Sequence, residues 1–535
     1  MGTRVGRPLD PGGRAGWNVH SMKVGGFAPL RIQEVHPVAP RLPQHVRVAI
    51  VGAGFAGLGM AIRLRQEGND DFVVLERADD VGGVWRDNVY PGCACDVQSL
   101  LYSFSFAPNP GWSRAYSPGW EIQEYLRDCV RHFQLAPFLR LGHAVLRAKW
   151  DVTARRWVLE TSHGTLTADA LVAAVGTLSE PVIPPLPGLE RFRGKVMHSA
   201  RWDAGYALAG RQVGVVGTGA SAVQIVPAIQ PEVGRLVLFQ RTPAWVLPRG
   251  DKPNSALRKA LYRWVPGARW LLRGALRILR ESLALGFQHP WILRLAQPWV
   301  LRHMLKTVKD PSLRDRLTPR YTMGCKRILV SDDYLPALTR PNVEVVTASI
   351  CEVREDAVVT GDGAVHPVDT LIFGTGFQAT DMPMGHHIHG RDGRTLAQVW
   401  AGSPRAFLGT TVSGFPNLFL LQGPHTTLGH TSVLLMMEAQ VEHVLGALRY
   451  LEARGAAAVE PDPGAQDAFV RDLEARLSST VWNQGGCRSW YMDASGRNSA
   501  LWPGSTTAFR HRVEHFEPSD YVTLPRAGVP RALRR

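Results

Sequence analysis

Residues 49–57 read AIVGAGFAG. The apolar run VRVAIVG, residues 46–52, ends in the first of three closely spaced glycines: Gly52, Gly54 and Gly57. An unbroken apolar run stopped by glycine suits a strand buried on both faces, as in a parallel sheet. A helical pattern follows through Leu64. A second apolar run, DFVVLER, then brings Glu76 to a strand end, nineteen residues after Gly57. The first glycine permits a tight turn, the second lets backbone approach a pyrophosphate, and the third lets helix and strand pack closely. The phosphate then meets the free N–H groups of a helix N-terminus. Glu76 offers a carboxylate to ribose hydroxyls, and Phe55 lies within the same loop.

The pattern recurs downstream. QVGVVGTG (212–219) reads as a strand entering a glycine turn, and the full loop is GVVGTGASA at 214–222. Its residues are Gly217, Thr218, Gly219, Ala220, Ser221 and Ala222, with alanine in the third glycine position, which the motif tolerates. The partner strand RLVLFQRT (235–242) ends in Gln240-Arg241-Thr242, without a carboxylate. A carboxylate there would repel a 2′-phosphate, whereas a forked guanidinium and a hydroxyl bind one. The second loop therefore expects NADPH rather than NADH. Two nucleotide sites, one acidic and one cationic at the ribose end, imply hydride passing between two cofactors, with FAD reduced by NADPH. The expected fold is α/β: two Rossmann-like dinucleotide-binding domains, the NADPH domain inserted into the FAD domain.

The chain has 535 residues, room for two or three cores. The expected order is a loose N-terminal extension (1–45), a first FAD part (46–190), an NADPH domain (191–370), a second FAD part (371–515) and a tail (516–535). ALVAAVGT (170–177) and TLIFGTGF (370–377) read as strands ending in glycine, and 433–452 as a helix. Residues 251–320, broken by prolines, read as a helical insertion. That insertion carries 15 Lys/Arg against 4 Asp/Glu, much of the chain's net charge of +15. A basic excess confined to one segment and the N-terminal tail argues against a nucleic-acid-binding protein. Arg269, Arg273, Arg277 and Arg280 recur at helical spacing. The favoured reading has leucines packing inward and arginines in solvent; the other is weak peripheral contact of 269–280 with an anionic membrane. No apolar run reaches membrane-spanning length and no secretory signal is evident. The six cysteines are scattered, and Cys93 and Cys95 lack redox or zinc spacing. All six are read as reduced thiols of a cytoplasmic protein, with no metal site.

Upstream of the second loop lies FRGKVMHSARWD, residues 192–203. It resembles the fingerprint of the type I Baeyer–Villiger monooxygenases, within the flavin-containing monooxygenase superfamily. The matching residues are Phe192, Gly194, His198, Trp202 and Asp203. Further resemblance lies in GGVWRDNVYPGCACDVQSLLYSFSF (82–106) and GCKRILVSDDYLPALTRPNV (324–343). LQGPHTTLGHTSVLLMMEAQ (421–440) and CRSWYMDASGRNSALWPG (487–504) are similar to the hydroxyacetophenone monooxygenase-like branch.

The resemblance implies NADPH- and O2-dependent conversion of a small-molecule ketone to an ester or lactone through a flavin C4a-peroxide. It implies that Gly52, Gly54, Gly57 and Glu76 bind the adenosine end of FAD. Val84, Trp85, Asp96, Tyr102 and Val145 would line the flavin. Thr218, Gly219, Ser221, Arg241, Thr242 and Lys326 would hold NADPH. Arg327 would be the catalytic arginine with Asp96 beside it. Isoleucine follows Arg327 where other branches carry proline, which leaves substrate range open. An anionic oxidant and an oxyanion adduct both need a fixed cation, which arginine supplies at any physiological pH. The neighbouring cations Lys326 and Arg327 are expected to point to opposite sides. The 192–203 stretch is expected to link the two domains, with Gly194 turning the chain and His198 and Trp202 registering them. Oxygenation at nitrogen or sulfur, an uncoupled NADPH oxidase and a membrane-associated redox or binding protein remain alternatives.

Overall fold

A computed structural model describes residues 41–526. The expected N-terminal extension and the end of the tail fall largely outside them. Two sheets organise the chain, each with parallel strands around one glycine loop.

In the first, β1 (His45–Val51) leads through its loop into α1 (Phe55–Gln66) and then β2 (Phe72–Leu75). β1 pairs in parallel with β2, aligning Val51 with Leu75. Beyond β2 lies the short β3 (Leu139–Arg140). On its other side β1 pairs with β6 (Gly164–Ala173). The first half of β6 belongs to an antiparallel meander with β4 (Val145–Asp151) and β5 (Arg156–Thr161). Its second half pairs with Leu418–Leu420, so chain from the far end of the sequence completes this sheet. β2 is wholly buried, as the apolar runs require, because helices cover both faces of a parallel sheet. Helix Leu434–Arg454 lies against α1 on one face.

The second sheet has five strands, all parallel. β7 (Lys195–His198) lies at one edge, followed by Thr370–Phe373, β8 (Gln212–Val216), β9 (Arg235–Phe239) and Val343–Val346. Thr370–Phe373 sits between β7 and β8, so the chain leaves this sheet only after Phe373. Two connections join the sheets and run side by side. Val182 N–H donates to the Gly376 carbonyl (2.9 Å), and Gln378 N–H to the Glu180 carbonyl (3.0 Å).

Helices α2 (Val84–Asp87) and α3 (Gly119–His132) precede the second unit, and α4 (Ala220–Ile229) follows its glycine loop. The insertion holds α5 (Ala256–Trp264), α6 (Ala268–Gln288) and α7 (Pro290–Met304). Here one expectation is overturned. The arginines of α6 face the protein and many of its leucines face solvent. Arg273 donates to the carbonyls of Leu100 and Ser103, Arg280 to Gln98 and the Tyr116 hydroxyl, and Arg277 to Thr507. Arg269 is half-buried. The 98–103 loop presents backbone acceptors that must be satisfied, and a guanidinium brings five donors. Helical spacing places the arginines on one face; it does not say which face meets the protein.

The cysteine reading is also corrected. Cys325 and Cys487 form a disulfide across 162 residues of sequence. Nothing in their spacing signals the pair; folding brings their Cα atoms within 6.1 Å, a bridgeable distance. The other four cysteines are free. Part of the expected tail is ordered too: Tyr521–Pro525 pairs antiparallel with Ala456–Pro461. No helix among the described residues is long and apolar enough to cross a membrane.

His425 and His443 are buried, and burial pushes their pKa down to about 4 from 6.5. As pH falls below 6.5 the unfolded chain takes up protons that the fold refuses. Their contribution is therefore complete above that pH and lost on acidification. The expected loss is on the order of 1–2 kcal/mol per histidine between about pH 7 and pH 5. Thermal melts across that range should show a falling Tm, with a shallower slope in His443→Gln. A flat profile would refute this.

Candidate active site

Gly52 has φ +105, and a Cβ there would lie 2.5 Å from the Ala174 carbonyl oxygen. A Cβ on Gly57 would lie 1.9 Å from the Gly52 carbonyl oxygen, so helix and turn touch through bare backbone. Gly54 is different: its Cβ would meet only Gly83 Cα, at 3.7 Å. The first loop thus packs directly on the Gly82-Gly83 turn, whose Gly82 N–H donates to the Ala53 carbonyl at 3.0 Å. Gly54 caps α1 without any side-chain acceptor, leaving the N–H groups of the first turn for a ligand. Glu76 is buried at the adjacent strand end. Its carboxylate accepts from Ala53 N–H (2.9 Å) and Ala78 N–H (3.0 Å) and lies 3.1 Å from Arg86. A bare-backbone turn, an uncapped helix start and an anchored carboxylate fit the pyrophosphate and ribose of FAD.

Beyond this cradle, Phe55, Trp85 and Tyr102 gather edge to face. Trp85 Nε1 donates to the Tyr102 hydroxyl at 3.2 Å, and Val84 begins the helix carrying Trp85. Val145 opens β4, two residues after His143, whose N–H donates to the Glu76 carbonyl at 2.8 Å.

The second loop repeats the first. Gly217 has φ +110 against the Gly374 carbonyl, and Gly219 caps α4 with no side-chain acceptor. Ala220 and Ser221 open α4, and Ala222 is fully buried in the third position. Thr218 Oγ1 donates to the Thr242 carbonyl (2.7 Å), tying the loop to the end of β9. Arg241 is exposed there. Lys326 stands over the Tyr321 ring, its pKa lowered by burial and by the charge of Arg241. Two cations forced together without a counter-charge fit the 2′-phosphate of NADPH.

Arg327, the next residue, turns the other way. Its Nε and Nη2 form a fork on the Asp96 carboxylate at 2.8 and 2.9 Å. Nη1 reaches the Leu428 carbonyl at 3.4 Å. About 27% of the Arg327 side chain remains accessible. Asp96 raises the guanidinium's pKa further, so the cation is permanent. Burial raises the neighbouring thiols, Cys93 to about 11 and Cys95 higher still, so neither presents a thiolate.

Tyr491 completes this cluster and was not singled out from the sequence. It is buried, its pKa pushed up to about 12 by desolvation against the opposing field of Arg327. It lies in the quoted 487–504 stretch, but only folding brings it to Arg327. Gln224 of α4 was also missed. It accepts from the Tyr90 hydroxyl (3.0 Å) and donates to the Ala94 carbonyl (2.8 Å), clamping the two units together. A narrow cleft opens between the two connections and the loop 422–427, one residue from Leu428.

The 192–203 stretch lies at the edge of the second sheet. Gly194 lies at a bend just before β7 and also allows close approach: a Cβ there would lie 2.2 Å from the Asp369 carbonyl oxygen. Phe192 packs beneath the sheet and Trp202 against the core around β8. Asp203 pairs with Lys195 at 2.5 Å, folding the end of the motif back on its start. His198, buried at the end of β7, meets Phe377 edge to face at 5.6 Å. Phe377 belongs to one of the two inter-sheet connections.

Two nucleotide cradles on either side of a fixed Arg–Asp fork define a flavin- and nicotinamide-dependent oxidoreductase. The Flavin-binding monooxygenase-like family model matches residues 45–386, and the chain belongs to that family. It is 51% identical over 483 residues to a Baeyer-Villiger monooxygenase of Streptomyces coelicolor, covering 90% of this chain and 93% of that one. A Baeyer-Villiger monooxygenase of Pseudomonas aeruginosa is 46% identical over 502 residues, with 93% and 95% covered. The structure of cyclohexanone monooxygenase from Rhodococcus sp. Phi1 bound to NADP+ superposes with a TM-score of 0.80 at 28% identity, covering 90% of this chain and all of that one.

Proposed function

We propose that this chain is an NADPH- and O2-dependent flavin monooxygenase that converts a ketone to an ester or lactone. The observation that carries the reading is the Arg327–Asp96 fork, a permanent, oriented and partly accessible cation between the two cradles. When bound, NADPH supplies a hydride and FAD the oxygen-activating chemistry, one oxygen atom entering the ketone and the other leaving as water. Gly52, Gly54, Gly57 and Glu76 would hold the FAD nucleotide, with Val145 beside them. Val84, Trp85 and Tyr102 would border the flavin. Thr218, Gly219, Ser221, Arg241, Thr242 and Lys326 would hold NADPH.

Arg327 stabilises negative charge developing on the carbonyl oxygen. Asp96 fixes the guanidinium plane, so little reorganisation is needed as that charge grows. Tyr491 keeps water from one side of the pair. The deciding experiment incubates FAD-loaded protein with NADPH, air, a panel of cyclic, aryl and long-chain ketones and a thioether, and identifies products by mass spectrometry. An ester or lactone supports the proposal; only sulfoxide, or only hydrogen peroxide, overturns it.

Arg241→Ala and Lys326→Ala should each raise KM for NADPH about tenfold or more while barely changing that for NADH. Equal changes for both nucleotides would place these residues away from the 2′-phosphate. His198→Ala should lower product formed per NADPH consumed while sparing FAD content, because His198 touches a connection rather than a cradle. Unchanged coupling would remove it from the mechanism.

A further inference from the structure

The helical insertion leaves an apolar surface that the oxygenation chemistry does not use. Of the 23 large apolar side chains exposed among the described residues, 14 lie between Leu257 and Trp299. They follow helical periods. On α5 they are Leu257, Leu261 and Trp264; on α6, Leu271, Ile278 and Leu285, one every seven residues; on α7, Trp291, Leu295 and Trp299, one every four. Trp270 is 83% exposed, Leu295 74% and Trp299 72%. The three helices pack in succession, α5 on α6 and α6 on α7. Their other faces are committed: the α6 arginines to the 98–103 loop and Thr507, and Leu293, Val300 and Met304 to the core. The outward stripes are therefore a fixed surface, and contiguous apolar area of this kind marks a binding site.

Charge identifies the occupant. Between Lys252 and Lys309 the only carboxylate is Glu281. It is turned inward, accepting from Thr506 N–H at 3.0 Å and lying 3.6 Å from His430. Arg258, Arg263, Arg294, Arg302 and Lys306 are exposed, and none of them pairs with a carboxylate. A second copy of this chain docking face to face would bring cation against cation, which costs free energy. Tryptophans and leucines bordered by unpaired Lys and Arg, on helices lying flat rather than spanning, are suited to the interface of an anionic bilayer.

We infer that α5–α7 seat this protein on an anionic lipid surface, the Trp and Leu side chains entering the headgroup–acyl boundary and the basic residues meeting lipid phosphates. The arginines of α6 that dock on the 98–103 loop hold the apolar stripe outward. A membrane-seated oxygenase draws a lipophilic ketone from the bilayer. That consequence rests on the proposed reaction; the docking itself does not.

The test is flotation of FAD-loaded full-length protein with phosphatidylcholine vesicles, with and without phosphatidylglycerol, at low and high salt. Binding is expected to require phosphatidylglycerol and to weaken with salt. The Trp270→Ala/Trp299→Ala double variant should partition about tenfold or more weakly. Both side chains lie in solvent away from the cradles, so FAD content and NADPH oxidation should be unchanged. No flotation, or equal flotation of the double variant, overturns the inference. So does a dimer in size-exclusion chromatography that dissociates in the double variant, which would assign the face to a second copy. Flotation is read without turnover, so failure of the ketone assay leaves it intact.

Discussion

Arg327→Ala is expected to lower ester or lactone formation by about 100- to 1,000-fold, the usual effect of deleting one preorganised charge donor. NADPH oxidation should continue within about tenfold of the parent rate, with hydrogen peroxide accumulating in place of product. The asymmetry follows from geometry. Lys326 and Arg241 lie together on one side of the 326–327 pair, and Arg327 with Asp96 lies on the other. Deleting the guanidinium removes charge stabilisation where oxygen is transferred and leaves the nucleotide side in place. It also strands a carboxylate that is three-quarters buried, so the variant must be shown to retain FAD. Arg327→Lys keeps a positive charge but loses the fork. It should recover only a small part of the activity. Equal loss of NADPH oxidation and oxygenation would mean that Arg327 serves the whole fold or the hydride step.

The second large effect separates two glycines three residues apart. Gly57→Ala places a methyl group 1.9 Å from the Gly52 carbonyl oxygen. Backbone must move, so both FAD content and apoprotein stability should fall, the latter by several kcal/mol (about 2–4). Gly54→Ala meets nothing closer than 3.7 Å, and its φ of −83 suits any residue. Its methyl group would lie in contact with Gly83 at the start of α1, beside the N–H groups that a pyrophosphate would approach. The apoprotein should melt normally, yet FAD retention should drop about tenfold or more. Absorbance at the flavin band and apoprotein melts distinguish the two. Normal flavin content in Gly54→Ala would place the pyrophosphate away from this helix start.

The two glycine loops were legible because their requirement is local. A turn with φ above +100 and a helix start against bare backbone allow few residue types, so glycine and alanine appear at fixed intervals. Apolar runs such as VRVAIV announced buried parallel strands for the same reason. The helical character of 251–320 was legible from periodicity, but the direction of its faces was not. Arg273 and Arg280 turn inward because the carbonyls and polar side chains of another unit await donors. Gly194 does bend the chain, but its close packing on the Asp369 carbonyl was not legible. Tyr491, Gln224 and the Cys325–Cys487 bridge carried no local signal.

By itself the sequence determined two strand–glycine–helix turns, with a carboxylate at the end of one partner strand and an arginine after the other, since each is a short-range constraint on backbone or charge. The tertiary structure alone decided that Arg327 meets Asp96, that Cys325 meets Cys487 and that the helical insertion shows its tryptophans to solvent. Those outcomes depend on contacts between distant segments, where the energy lies in the partner and spacing along the chain carries no record of it.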